Sequence, residues 1–288
     1  MSWHPRAMPR IRDQVTQLAG DPSSPLRAGA GPQLAAALTA IAEQLPAADL
    51  WWVAEDMAAL AVSSAETLPD VHWTTDRPSP AGLLIWDGGI GSINYQGAML
   101  PIDAVSWGPN PAGGMWLWLW AARWRVEDQL DDGVRLGDGV PPLLPLIGQP
   151  LPEGVDVHQV EDIPDHVRTV ATTLAATWLL AAQPNLVDRQ PVSPEPRIRR
   201  SYARAGRDEP AVTLVDLRRQ YVPSDSDSAT ADDSRRRARH RWVVSGHWRD
   251  QPYGPGRAQR RRIWIPQHLR GPEGAPLLAT SKVNVWRR

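Results

Sequence analysis

Cysteine is absent from this 288-residue chain, and so is phenylalanine. The first absence removes disulfides, thiolate nucleophiles and Cys-ligated zinc. The second leaves the aromatic mass to fifteen tryptophans and four tyrosines. Lysine is nearly missing: Lys282 stands alone among 31 Lys and Arg residues. Arginine in place of lysine, with abundant Ala, Gly and Pro, is what a GC-rich genome produces, so arginine content alone assigns no function. Long apolar runs are missing as well. The richest, GGMWLWLWAA at 113–122, falls short of the roughly 18 residues a membrane span needs. The opening MSWHPRAMPRIRDQVTQLAGDP has no apolar region of signal-peptide type. These absences lead to the expectation of a cytoplasmic protein with no membrane contact.

What remains is ample for folding, since 42% of residues are apolar and a chain this long buries most of its surface. The net charge is −1, but it is unevenly spread. Residues 195–288 hold 21 basic and 10 acidic residues, and residues 1–194 hold 10 and 22. Such a split points either to a nucleic-acid-binding tail or to attraction between the halves.

Periodicity predicts a helix in QLAAALTAIAEQL (33–45), bracketed by Pro32 and Pro46, and a second in ADLWWVAEDMAALAVSSAE. AGLLIWDGG (81–89), DAVSWGP (103–109) and GMWLWLWAARW (114–124) read as strands. The third is apolar on both faces and should lie centrally, covered twice. PPLLPLIGQPLP (141–152) is too proline-rich for the centre and reads as an extended or edge segment. A long helix is expected over 164–183, a basic connector over 189–210 and a strand over 211–222. PSDSDSATADDSRRRAR (223–239) is a polar linker with no means of burying a core. Three further strand candidates follow at 240–248, 261–266 and 282–287. The fold expected is α+β, with helices packed on a mixed, mostly antiparallel sheet. It has a domain over 1–222, a flexible linker over 223–239 and a small basic β-rich module over 240–288. That module is expected to dock on the first domain, continuing its sheet beside 211–222.

The basic module carries the candidate chemistry. Strand alternation puts Ser245, His247 and Arg249 on one face, and His268 and Arg270 follow the next strand. Two imidazoles and a guanidinium suit phosphodiester cleavage: one removes a proton, one donates it, and the cation stabilises charge on phosphate. The same residues equally suit capping strands and stacking on Trp248 and Trp264. A second pattern interleaves Arg235, Arg236, Arg237, Arg239, Arg241, Arg257, Arg260, Arg261 and Arg262 with aromatics, Trp248 among them. Arginine pairs with phosphates and tryptophan offers stacking faces to unpaired bases. No HxH, HxxxH or HExxH occurs, and the acidic loop with Asp131, Asp132 and Asp138 lacks the EF-hand ligand pattern, so no metal and no cofactor are expected. DGGIGSINYQG is not a phosphate loop and reads as a turn, and VVSGH lacks a nucleophile elbow.

The stretch RWVVSGHWRDQPYGPGRAQRRRIWIPQHLRGPEGAPL resembles the C-terminus of a group of uncharacterised actinobacterial and phage-borne proteins ending in GHWR…Q.YG…R.IWI..H.RGPE..PL. DAVSW, TLAATWLLAAQ, RIRRSYARAG and VTLVDLRR extend the similarity upstream, over roughly residues 70–288. The resemblance implies a phage or mobile-element setting and assigns no residue a role. Three functions therefore stand side by side. The leading one is a non-enzymatic nucleic-acid-binding protein, with RNA or DNA as partner. The others are a metal-independent endoribonuclease or toxin-like enzyme, and a protein-interaction module pairing the basic tail with an acidic surface.

Overall fold

A computed structural model describes residues 3–72, 76–95, 97–130, 135–137, 139–156, 159–160, 163–218 and 242–270. The chain divides into two compact units, Met1–Arg218 and Arg219–Arg288. The proposed linker, 223–239, and the strand candidate at 282–287 lie outside the described residues.

The first unit is built on a seven-stranded mixed sheet in the order β7 (Leu143–Leu151), β6 (Met115–Ala122), β5 (Ala104–Pro109), β2 (Gly82–Trp86), β1 (Asp49–Val53), β9 (Val212–Leu217), β8 (Val187–Val192). Within it, β1 runs parallel to β2 on one side and to β9 on the other. The remaining pairs are antiparallel. They join β2 to β5, β5 to β6, β6 to β7, and β9 to β8. The class is α+β, and the sheet is mostly antiparallel, as the sequence indicates. Helices α1 (Met8–Gly20) and α3 (Pro32–Gln44) bury Ile11, Val15, Leu38 and Ile41 against one face, with Leu50, Trp52, Leu83, Ile85 and Trp120 beneath them. A short helix, α2 (Pro25–Ala28), joins the two. On the other face α4 (Glu55–Ala65) packs with α6 (Asp165–Ala181). There Trp86 Nε1 donates to Thr177 Oγ1 at 3.3 Å, and Trp107 meets Trp178 edge-on at 5.1 Å.

Double coverage explains one departure from expectation. LWWV at 50–53 was expected inside a helix beginning before Leu50, yet it forms an interior strand flanked by two parallel neighbours. A strand buried on both faces is continuously apolar, and so is a buried helical turn, so periodicity does not separate them. The helix begins at Glu55, where Glu55 and Asp56 favour its positive N-terminal end. The segment 189–210 is likewise not a plain connector. It holds most of β8 and a short helix, α7 (Pro196–Arg204). Pro191 is tolerated because β8 is an edge strand. The same rule places β7, with Pro145 and Pro150, at the opposite edge, where an extended or edge segment was expected. The GGIGSINYQG stretch leads into a hairpin of β3 (Ser92–Tyr95) and β4 (Ala98–Pro101). A short helix, α5 (Arg123–Glu127), ends the β6 run.

Two tryptophans of the sheet lie over glycines. Trp107 pairs with Gly82, and a Cβ there would fall 2.2 Å from its ring. Trp118 pairs with Gly148, with the same 2.2 Å clash. With no phenylalanine to use, the sheet accommodates the larger indole by leaving the cross-strand position bare.

In the second unit the described residues, 242–270, form a two-stranded ribbon. β11 (His247–Tyr253) pairs antiparallel with β12 (Gln259–Ile265), and β10 (Trp242–Val244) with β13 (His268–Arg270). Both ladders share one register, broken at 245–246 and 266–267, where Pro266 has no N–H to give. The expectation that this module extends the sheet beside 211–222 is not met. β9 already has β1 and β8 on its two sides, and the ribbon strands form separate pairs.

Candidate nucleic-acid interface

The ribbon's pairing sorts its side chains. His247, Arg249, Gln251 and Tyr253 share a face with Ile265, Ile263, Arg261 and Gln259. Trp248, Asp250 and Pro252 share the other with Trp264, Arg262 and Arg260. One end is apolar: Trp264 and Ile265 are buried, and Trp248 meets Trp264 edge-on at 5.2 Å. The other end is cationic. Arg257, Arg260 and Arg261 are exposed around a turn that uses Gly254 at φ 76° and Gly256 at φ 61°. Arg260 Nη1 donates to the Arg257 carbonyl at 3.3 Å, and the Arg261 guanidinium lies 5.7 Å from the Tyr253 ring centre. None of these three arginines has a carboxylate within ion-pair distance among the described residues. Arg262 has one only at 3.8 Å, from Asp250.

Tyr253 is the exposed ring of the tip, at 43% exposure, and sequence reasoning passed over it. Its place at the entry to the YGPG turn was the available signal. Trp248, the ring that the arginine–aromatic pattern singles out, is half-buried against Trp264. Arg235, Arg236, Arg237, Arg239 and Arg241 lie outside the described residues.

The imidazoles are placed apart by the register. His247 pairs with Ile265 and His268 with Val244. Counting the one register through the break puts them on opposite faces. Each Nδ1 lies near a backbone carbonyl two residues earlier, Ser245 at 3.1 Å and Pro266 at 3.0 Å. A carbonyl only accepts, so each Nδ1 carries the donated hydrogen. The Arg249 guanidinium, on the His247 face, donates to Gln251. Arg270 ends β13 opposite Trp242, and its side chain lies outside the described residues.

The first unit holds a crevice. Two adjoining cavities of about 480 and 290 Å³ share Trp3 and Trp124 in their walls. The smaller reaches the carboxyl ends of β1 and β2 through Trp52, Ile85, Trp86 and Asp87, the region where open α/β sheets place ligands. Its frame is Asp103, which is 4% exposed. Asp103 accepts from the Ala122 N–H at 2.7 Å and from the Arg125 guanidinium, which also donates to the Gly88 carbonyl at 3.0 Å. Gly89, at φ 74°, is bare because a Cβ there would lie 2.2 Å from Arg125 Nη1. The Asp-Gly-Gly stretch thus serves this clamp.

A second buried network joins α1 to α7. Arg12, 4% exposed, donates to the Tyr202 hydroxyl at 2.7 Å, and that hydroxyl donates to Asp13 at 2.5 Å. The Arg207 guanidinium stacks 4.4 Å above the Tyr202 ring and reaches Asp13 at 3.4 Å. Burial, and then the bond to Asp13, raises the Tyr202 hydroxyl above its ordinary 10.0. Among the described residues no group of three or more His, Asp or Glu side chains is placed to hold a metal ion, and no helix is long and apolar enough to cross a membrane.

The crystal structure of AcrVA2 overlays on 92% of this chain and 86% of its own, with a TM-score of 0.40 and 14% identity. No curated protein matches the chain. The AcrVA2-like family model, described as anti-CRISPR type V subtype A2, matches residues 69–269. That span runs from before β2 into β13, taking in most of the sheet and nearly all of the described ribbon. The chain belongs to the AcrVA2-like family of anti-CRISPR proteins, type V and subtype A2.

Proposed function

We propose that this protein counters a type V CRISPR system on behalf of a phage or related mobile element, and that its ribbon contributes non-enzymatic contact with nucleic acid. Family membership supports the first half. One observation carries the second: Arg257, Arg260 and Arg261 gather, unpaired with acid, beside the exposed Tyr253. Guanidinium groups bind phosphates, and a tyrosine face under a cation suits stacking with an unpaired base. The cytoplasm of a host carrying a type V system is the setting this reading implies.

The test is fluorescence anisotropy of the full-length protein with single-stranded RNA, single-stranded DNA and duplex DNA across a salt series. Each phosphate contact contributes about 0.7 to the log–log salt slope on a single strand and about 0.9 on duplex DNA. Three arginines then give a slope near 2, or roughly 20-fold weaker binding between about 50 and 200 mM salt on a single strand. Replacing all three with glutamine (R257Q/R260Q/R261Q) should flatten that slope while the probe is recovered intact. Binding that ignores salt, or none at low salt, overturns the ribbon reading. Degraded probe would move the assignment to an enzyme.

A further inference from the structure

The strongest unassigned feature of the first unit is the outer face of α7. Only Ile198 and Tyr202 of this nine-residue helix are buried. Arg197, Arg200 and Arg204 are exposed. At 3.6 residues per turn they fall within about 60° of arc, on the side away from Ile198 and Tyr202. Their neighbours are already neutralised: Arg199 pairs with Glu209 at 2.8 Å and Arg207 with Asp13 at 3.4 Å. Arg197 and Arg204 have no carboxylate partner among the described residues, and Arg200 bonds only to the Pro196 carbonyl of its own helix, at 3.2 Å.

Helix stability explains Arg204, a cation in the last turn, but not Arg197 and Arg200. Like charges three and four residues apart repel. Arg197 stands in the first turn, where the macrodipole disfavours a cation, and no acidic residue of that turn offsets it. Three cations over about 10.5 Å of helix face roughly six phosphates of a duplex over the same length. The face carries no exposed ring, because Tyr202 is buried and covered by Arg207. It therefore suits a phosphate backbone whose bases are paired and inaccessible, unlike the tyrosine-bearing ribbon tip.

We infer that α7 is a docking surface for the phosphate backbone of a nucleic-acid duplex, distinct from the ribbon tip. It rests on its own residues and does not need the ribbon reading to hold. The test compares full-length protein with its R197Q/R200Q/R204Q variant on a short random-sequence DNA duplex and on the matching single strand. Glutamine keeps helix propensity and removes the repulsion, so the melting temperature should be unchanged or slightly raised. The duplex salt slope should fall by about 2.7, while single-strand binding stays as it was. Arg199→Gln, which removes an already paired charge, should leave the slope alone. If the triple variant melts early, the single variants Arg197→Gln and Arg200→Gln should each lower the slope by about 0.9. An unchanged duplex slope, or no duplex binding by the parent protein, overturns the inference. Loss only in R257Q/R260Q/R261Q would keep the ribbon reading and reject this one. Loss only in R197Q/R200Q/R204Q would do the reverse.

Discussion

Replacing Asp103 with alanine should destabilise the first unit more than any exposed substitution. The carboxylate is 4% exposed and holds two charge-assisted bonds, to the Ala122 N–H and to Arg125. Hydrogen bonds to a charged group contribute about 1.5–3 kcal/mol each when lost. Removing one partner of a buried pair costs about 3–5 kcal/mol. The Arg125 side chain is 24% exposed, so water takes over part of its solvation, and about 3 kcal/mol is the expected loss. For a unit of this size that lowers the melting temperature by about 6–12 °C. The clamp also predicts coupling. Arg125→Ala alone leaves Asp103 buried without its cation, and the double variant removes the pair. The double-mutant cycle, read by thermal or denaturant unfolding, should then show at least about 1 kcal/mol of interaction. Strict additivity, or an Asp103→Ala melting temperature equal to the parent's, would refute the clamp.

Tyr202→Phe should cost about 1–3 kcal/mol, because the buried Arg12 loses an acceptor and Asp13 a donor. The fold favours the neutral Tyr202 hydroxyl, whose pKa it raises. That contribution is fully present below the ordinary 10.0 and is lost as pH rises through the folded value. Melting temperature against pH should therefore fall above about 10, and fall less in Tyr202→Phe. Gly82→Ala, with its Cβ 2.2 Å from the Trp107 ring, should destabilise by about 1–3 kcal/mol through overpacking, checked by denaturant midpoint. Tyr253→Ala should weaken single-strand binding by about 1–3 kcal/mol of stacking and leave the melting curve and duplex binding unchanged, as anisotropy would show.

The sheet was legible where one side-chain pattern had one reading. MWLWLW between glycines and RVEDQ is a strand, and the proline-bearing 143–151 is an edge strand. LWWV was not legible, because a doubly covered strand and a buried helical turn present the same run of apolar residues. The first helix, α1, and α7 were missed for the opposite reason. In α7 arginines thin the apolar stripe to Ile198 and Tyr202, whereas α1 has a regular stripe of Met8, Ile11, Val15 and Ala19 that Pro9, Arg10 and Arg12 obscure. Arg12 and Tyr202, 190 positions apart, meet only through tertiary packing. At the ribbon the arginines were legible as a cluster, and Tyr253 at the turn could have been read as exposed, but the half-burial of Trp248 could not. Trp248 and Trp264 satisfy one another edge-on across the ladder, and that depends on a register set by the turn. The separation of His247 and His268 depends on the same register.

One cell-based measurement tests CRISPR antagonism and the basic ribbon tip together. Bacteria carrying an active type V CRISPR system are challenged with a targeted plasmid, with and without this protein. The account predicts that the parent protein restores transformation and that R257Q/R260Q/R261Q, present at equal abundance, does not. Failure of the parent protein to restore transformation, or full restoration by the variant, would contradict it.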